Sequence, residues 1–335
     1  MSRRLLWLSI PFRTPYVTSA ATLRARDLIV LRVQERHLVA YGEAAPFESY
    51  DGISIAHIAD AMRERATPGA PQIHAADEMA FLDLEGRRLG VPAVEFDEEV
   101  RSIAVHRTLA GATPEEVADA AAAGAADGFD CFKLKVGLAD DEARVAAVRD
   151  AVGPDARLRL DANGAWSAKQ AVERIRRVAG YDIEFVEQPC RTLAELAAVR
   201  AAVDVRIAAD ESVQSADDVS DAARAEACDV VAIKLAPMGG ITAARNAIEA
   251  ARAAGLDAYV SSTVDGPWGI AAGLQLAAAE RIDTHCGLAT LGLFDAALAD
   301  VLPAPRGGRI EVPAGPGLGV EVPEDAIAEV LVSEL

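Results

Sequence analysis

The sequence predicts an α/β protein: a closed barrel of the (β/α)8 type, with a small α+β unit in front of it. Two observations carry this. From about residue 102 a short apolar strand is followed by an Ala-rich amphipathic helix, and the unit repeats. Strands fall at 102–108, 130–136, 157–161, 183–187, 205–209, 229–234, 257–262 and 283–288, with helices between them such as 114–126, 141–151 and 168–179. Such alternation implies a parallel sheet. Eight consecutive units of one size favour a closed barrel over an open sheet. The second observation is length. At 335 residues the chain exceeds the roughly 250–300 at which a single core stops growing, so a second, smaller unit is expected.

That smaller unit is expected over 1–101, the barrel over 102–303 and a tail over 304–335. Arg3-Arg4 followed by Leu5-Leu6-Trp7-Leu8 imitates a signal peptide faintly. The apolar run is short and soon meets Pro11 and Arg13, so it reads as a first strand. Further strand-like runs are Leu28 to Val33 and His37 to Tyr41, and helical patterns follow near 53–66 and 75–89. The segment 42–52 reads as a loop. After residue 303 the chain turns rich in Pro and Gly, with a strand-like 309–312, and the tail is expected to pack back on the first unit.

Composition excludes several classes. Net charge is −19, which argues against nucleic acid and anionic membranes as partners. No apolar stretch is long enough to span a bilayer. The four cysteines, Cys131, Cys190, Cys228 and Cys286, lack Cys-x-x-Cys or zinc spacing and read as reduced thiols of a cytoplasmic protein. A dinucleotide fingerprint, GxGxxG with its acidic partner, is absent. The basic residues divide unevenly, 29 Arg against four Lys: Lys133, Lys135, Lys169 and Lys234. A lysine amine can act as a base where an arginine cannot, so lysines kept in such a chain draw notice. Lys169, in a polar helix start, reads as chance retention.

The C-terminal ends of barrel strands face the active site. In order they carry Thr108, Lys135, Asp161, Glu187, Asp210, Lys234, Ser261/Ser262 and His285, spaced by 23 to 27 residues. Three carboxylates thus converge on one mouth between two lysines. Asp161, Glu187 and Asp210 would repel one another without a cation, and an all-oxygen set suits Mg²⁺ better than zinc. The plain alternative is that each acid caps its following helix. Lys133 and Lys135 lie two apart on a strand, so both point to one face. Paired ammoniums lower a pKa, which would prepare a general base. The plain alternative here is that they only pair with the carboxylates. A Schiff-base lysine is a rival use, but it needs no metal ligands.

Weaker signals surround this ring. Gly239-Gly240 before a helix could cradle phosphate, though a helix-start turn is the favoured reading. His106 and His285 lack partner spacing and read as polar packing residues. Asp295 reads as a cap or a surface charge. Trp268 could wall a pocket or belong to the core.

Together these residues resemble the enolase superfamily, muconate-lactonizing subgroup. The resembling stretches are Lys133-Leu134-Lys135, Asp161-Ala162-Asn163-Gly164-Ala165-Trp166, Glu187-Gln188-Pro189, Ala209-Asp210-Glu211-Ser212 and Ile233 through Gly240. The resemblance implies a (β/α)7β barrel with an α+β capping domain made of the N-terminal third and the C-terminal tail. It implies that Asp161, Glu187 and Asp210 bind Mg²⁺, with Mn²⁺ as a substitute. It places the acid/base lysine on Lys135 and the opposite-face lysine on Lys234, and this superfamily pairs such a base with Mg²⁺; Lys133, two residues before Lys135, is the third catalytic candidate. Capping loops around 14–20 and 47–53 are expected to cover the substrate, with contacts from Phe47, Tyr50, Asn163, Ser261, Ser262, Gly287 and Leu288.

Within the subgroup, Val186 through Cys190, Ser261-Ser262, Gly269 through Leu274 and His285 through Thr290 are similar to the o-succinylbenzoate synthase family of actinobacteria. The stretches Val105 through Leu109 and Val264 through Trp268 depart from it. The activity implied is syn dehydration of a cyclohexadiene carboxylate in menaquinone biosynthesis. N-acylamino acid racemase or dipeptide epimerase is the nearest alternative, then muconate cycloisomerase, then a non-catalytic barrel. Dipeptide epimerases carry an Asp-x-Asp on the eighth strand to hold an ammonium, and 285–290 here has no acid. The expected partner is a small-molecule carboxylate substrate, and a homo-oligomer is compatible with the sequence.

Overall fold

The computed structural model describes residues 1–17, 22–64, 70–97 and 99–335. Its N-terminal unit is an antiparallel sheet of Ser2–Val17, Thr22–Glu35 and Leu38–Ala44. The C-terminal strand Leu331–Glu334 adds to its edge, with Leu6 opposite Glu334 and Trp7 opposite Ser333. Side chains alternate across a sheet, and here both faces are buried. Leu6, Leu8, Ile10, Leu28 and Val30 face the barrel core. Leu5, Ile29, Leu31 and Val33 face the helices Ile55–Glu64 and Pro71–Leu89, against Ile58, Met62, Ile73 and Leu84.

The segment expected as a loop over 42–52 is more ordered than that. Gly42 to Ala44 complete a strand, and Glu48–Asp51 form one helical turn. The helix expected over 53–66 runs over Ile55–Glu64, and residues 65 and 66 lie outside the described residues. The helix expected from 75 starts earlier, at Pro71, where proline suits a first helical position.

Seven parallel strands form the barrel wall: Arg107–Leu109, Cys131–Lys135, Arg157–Asp161, Ile183–Glu187, Ile207–Ala209, Val230–Lys234 and Asp257–Ser261. Each is hydrogen-bonded to its neighbour in chain order. Helices follow each strand in turn, from Pro114–Ala126 to Pro267–Ala279. Thr113, Ser167 and Thr192 cap three of them in reciprocal boxes with Glu116, Gln170 and Glu195, and Ser215 caps a fourth. The acids at the strand ends therefore do not serve as caps there.

Two expected strands differ. The strand expected over 102–108 splits: Ser102–Ala104 pairs antiparallel with the tail strand Arg309–Glu311, and only Arg107–Leu109 joins the barrel. The strand expected over 283–288 reduces to two bridges, Cys286 to Val105 and Gly287 to Ser261, which close the seam. Just before these bridges, the fully buried Arg159 guanidinium bonds the His285 carbonyl at 2.7 Å and the Thr284 hydroxyl at 2.9 Å, so the His285 carbonyl is satisfied by a side chain. Gly287 suits this seam because a Cβ there would lie 2.3 Å from Ser261 Oγ.

The four cysteines are free and buried. Among the described residues no helix is long and apolar enough to cross a membrane. The Gly239-Gly240 turn offers no phosphate cradle: Glu78 already accepts from the Ile241 and Thr242 amides at 2.5 and 3.1 Å.

Candidate active site at the barrel mouth

The strand register sets the site. Lys135 pairs with Asp161, and Asp161 with Glu187, so adjacent strands end at one level. Asp210 follows Ile207–Ala209 directly, and Lys234 ends its strand opposite Ser261. Asp161, Glu187 and Asp210 are fully buried, and one carboxylate oxygen from each lies within 4.8 Å of the others. Burial of three like charges is tolerable only with compensating cations. Lys133 Nζ supplies one, 2.7 Å from Glu187 Oε1 and 2.9 Å from Asp161 Oδ2. Lys135 Nζ lies 2.7 Å from Asp161 Oδ2 and 3.1 Å from Asn163 Oδ1. Lys234 Nζ lies 2.7 Å from Asp210 Oδ2.

Neighbours fix the orientation of these acids. Tyr259 Oη donates to Glu187 Oε2 at 2.5 Å, and Tyr50 Oη to Asp210 Oδ1 at 3.0 Å. Gln188, at φ 39°, accepts the Asp210 amide and donates to Ser212 Oγ and the Cys190 carbonyl. The Tyr50 ring also lies under Lys234, 3.9 Å from Nζ to the ring centre. Asn163, at φ 47°, donates to Glu211 Oε1, while the buried Glu211 Oε2 has no protein partner.

These contacts reverse one expectation. Proximity of Lys133 and Lys135 was expected to lower a lysine pKa. Burial is the largest single influence and pulls both ammoniums down, but the neighbouring acidic groups together outweigh it, led by Asp161 at each, with Glu187 next at Lys133 and Tyr16 next at Lys135. Both pKa values are held above the ordinary lysine range. Lys133 does push Lys135 downward, only less than Asp161 pushes it up. Burial raises Asp161, yet Lys133 and Lys135 win and hold it low. Glu187 is pushed up to about 7 by burial and then by Asp161.

A cavity of about 50 Å³ opens on this mouth, lined in part by Lys135, Lys234, Asn163, Ser262, Phe47 and Tyr50. Ser261, Gly287 and Leu288, also expected at the substrate, do not line it. Ser261 and Gly287 form the seam, and Leu288 packs toward the helix Pro267–Ala279, where a Cβ on Gly273 would touch it. Trp268 is core, fully buried against the Tyr41 ring at 5.2 Å. His285 does not face the mouth: its Nε2 lies 2.8 Å from Asp130, just before the first residue of Cys131–Lys135, at the opposite end. His106 is buried against Arg159, 3.1 Å away. Asp295 lies in no helix; it meets Arg13 at 3.5 Å on the surface.

Of the expected covering loop 14–20, residues 14–17 belong to the strand Ser2–Val17, and 18–20 lie outside the described residues. Tyr16 from that strand reaches the cavity, as do Glu211, Thr263 and Val264. Sequence reasoning missed Tyr259, although its place two residues before Ser261 on one strand puts both on the same face.

Residues 115–326 match the enolase C-terminal domain-like family, and the chain belongs to it. An o-succinylbenzoate synthase of Thermobifida fusca (strain YX) is 42% identical over 252 residues, 73% of this chain and 75% of that one. A hydrophobic dipeptide epimerase of Enterococcus faecalis (strain ATCC 700802 / V583) is 31% identical over 343 residues, 93% of this chain and 96% of that one. The crystal structure of an N-succinyl Arg/Lys racemase from Bacillus cereus ATCC 14579 superposes with a TM-score of 0.92 at 25% identity, covering 99% of this chain and 98% of that one.

Proposed function

We propose that this chain is a Mg²⁺-dependent o-succinylbenzoate synthase, a lyase of menaquinone biosynthesis. One observation carries the chemistry: a buried carboxylate triad with a lysine amine at each side, Lys135 beside Asp161 and Lys234 beside Asp210. The identity to the Thermobifida fusca synthase supports the choice of reaction.

Asp161, Glu187 and Asp210 fit Mg²⁺ because the donor set is all oxygen and offers no His or Cys. The unpaired Glu211 Oε2 beside them suits a water of such an ion. When bound, the ion supplies positive charge that competes with Lys135 for Asp161 and stabilises negative charge on a substrate carboxylate. Lys135, as the free amine, takes the α-proton of the substrate, and the C–H electron pair is delocalised toward the carboxylate. Lys234, from the other side, offsets that negative charge. The carbon–oxygen bond of the ring hydroxyl then breaks. Protonated Lys135 returns its proton to the departing oxygen, so water leaves from the same face and the ring becomes aromatic. Lys133 stays paired with Glu187 and holds the triad in place.

A hydrophobic dipeptide epimerase and an N-succinyl Arg/Lys racemase are among the similar proteins, so a second reading is racemisation by Lys135 and Lys234 as paired bases. Segment 285–290 has no carboxylate to hold the ammonium of a dipeptide, which counts against dipeptide epimerisation. Four free, buried cysteines suit a cytoplasmic setting. The test is incubation with 2-succinyl-6-hydroxy-2,4-cyclohexadiene-1-carboxylate. Aromatic product is expected with Mg²⁺ or Mn²⁺, and none in excess EDTA, under which the protein stays folded. Full turnover in EDTA would remove the metal-dependent mechanism.

A further inference from the structure

Val264 stands out on the wall of the cavity. It is a β-branched residue at φ 61°, in the left-handed region that such side chains almost never occupy. A backbone of this kind persists only where the surroundings over-determine it. Here the surroundings are side chains from the N-terminal sheet. Arg26, itself 4% exposed, sends Nε to the Thr263 and Val264 carbonyls, each at 3.2 Å. Its Nη2 reaches the Ala45 carbonyl at 3.1 Å, and its Nη1 reaches Pro46 and Asp27. The guanidinium also lies over the Phe47 ring, 5.0 Å from its centre. Asp265 Oδ1 accepts from the Thr263 amide at 3.1 Å and hydroxyl at 2.6 Å, closing the turn around Val264. Glu43 accepts from the Gly266 and Gly269 amides at 2.7 and 3.2 Å, tying the next helix to the same sheet.

We propose that Arg26 is a positioning residue: it holds strained Val264 and Phe47 as one wall, and that wall decides which substrates the mouth accepts. The proposal rests on the reading that this cavity binds the substrate. Val264 and Phe47 line it together with Lys135 and Lys234. The hydrogen bonds of Arg26 are committed to backbone carbonyls of both segments, so its work is to fix their spacing rather than to pair with a substrate anion. The wall it builds is apolar. It suits the uncharged ring of a carboxylate substrate and disfavours a charged or bulky side chain there.

The experiment is steady-state kinetics with the cyclohexadiene precursor and with N-succinyl amino acids of increasing side-chain size, at saturating Mg²⁺. Arg26→Lys keeps the charge, but one ammonium cannot span all of these carbonyls. It is expected to raise KM about tenfold while kcat changes less than about threefold, with Mg²⁺ activation unmoved. Val264→Gly adopts the left-handed backbone without strain. It is expected to shift relative kcat/KM toward the larger substrates about tenfold, and in its background Arg26→Lys should add less than about threefold. A lowered Tm with unchanged KM in Arg26→Lys, or fully additive effects, overturns the proposal. If Arg26→Lys does not fold, Val264→Gly decides alone, and unchanged discrimination overturns the proposal. Wild-type protein that turns over none of these carboxylates overturns the functional reading itself, and this proposal with it.

Discussion

Lys133 and Glu187 form a buried ion pair at 2.7 Å, in which the same ammonium also reaches Asp161 at 2.9 Å. The side chains are at most 6% exposed, so water screens little of this interaction. Lys133 is thus a fixed cation within the triad. Removing one partner of a buried pair strands the other charges and costs about 3–5 kcal/mol. Lys133→Met is expected to lower Tm by several degrees in EDTA. Its Tm should then rise more steeply with added Mg²⁺ than that of the wild type, because the ion takes over charge compensation. Unchanged Tm in EDTA would show that the pair contributes nothing to the fold.

Lys135→Arg separates charge from proton transfer. Arginine keeps the positive charge beside Asp161 but cannot shed its proton at working pH. Turnover is expected to fall by at least about 10³-fold while the circular dichroism spectrum is kept. A variant retaining more than about a tenth of the wild-type rate assigns the base elsewhere.

Glu43 makes a pH prediction. Burial, followed by the nearby Asp265 carboxylate, pushes its pKa up to about 8 from an ordinary 4.5. The folded protein therefore keeps a proton that the unfolded chain gives up above pH 4.5. Stability from this group is complete below pH 4.5, declines as pH rises, and levels off above about 8. Asp265 is raised as well, by its own burial, and acts in the same direction. Melting curves between pH 5 and 8, at saturating Mg²⁺ so that the mouth carboxylates stay ionised, should show a falling Tm. Glu43→Gln should flatten the slope. An equal slope in the variant places the titration elsewhere.

Much of this was legible in the sequence, because a parallel barrel puts one residue per strand end on the same mouth. The spacing of Lys135, Asp161, Glu187, Asp210 and Lys234 needed no tertiary information beyond that rule. What stayed hidden depends on long-range contacts. Beside the seam at Cys286 and Gly287, the His285 carbonyl and Thr284 hydroxyl are bonded by Arg159, over 120 residues earlier in the chain. The lysine pKa values follow from carboxylates on other strands, so sequence spacing gave the sign of one contribution and missed the larger one. Leu288 and Trp268 lie near the mouth in sequence, yet their side chains pack away from it. The strain at Val264 is invisible without Arg26, which is 238 positions away.

The central claim is that this mouth eliminates water from one face, with one base. The most direct measurement is a side-by-side assay of the cyclohexadiene precursor against N-succinyl amino acids and dipeptides, with α-proton exchange followed by NMR in D₂O. Kinetic discrimination reports differential transition-state binding. The account predicts that kcat/KM for aromatic product exceeds that for any racemisation by at least about a hundredfold. Efficient racemisation of an N-succinyl amino acid or a dipeptide, with no aromatic product from the precursor, would contradict it.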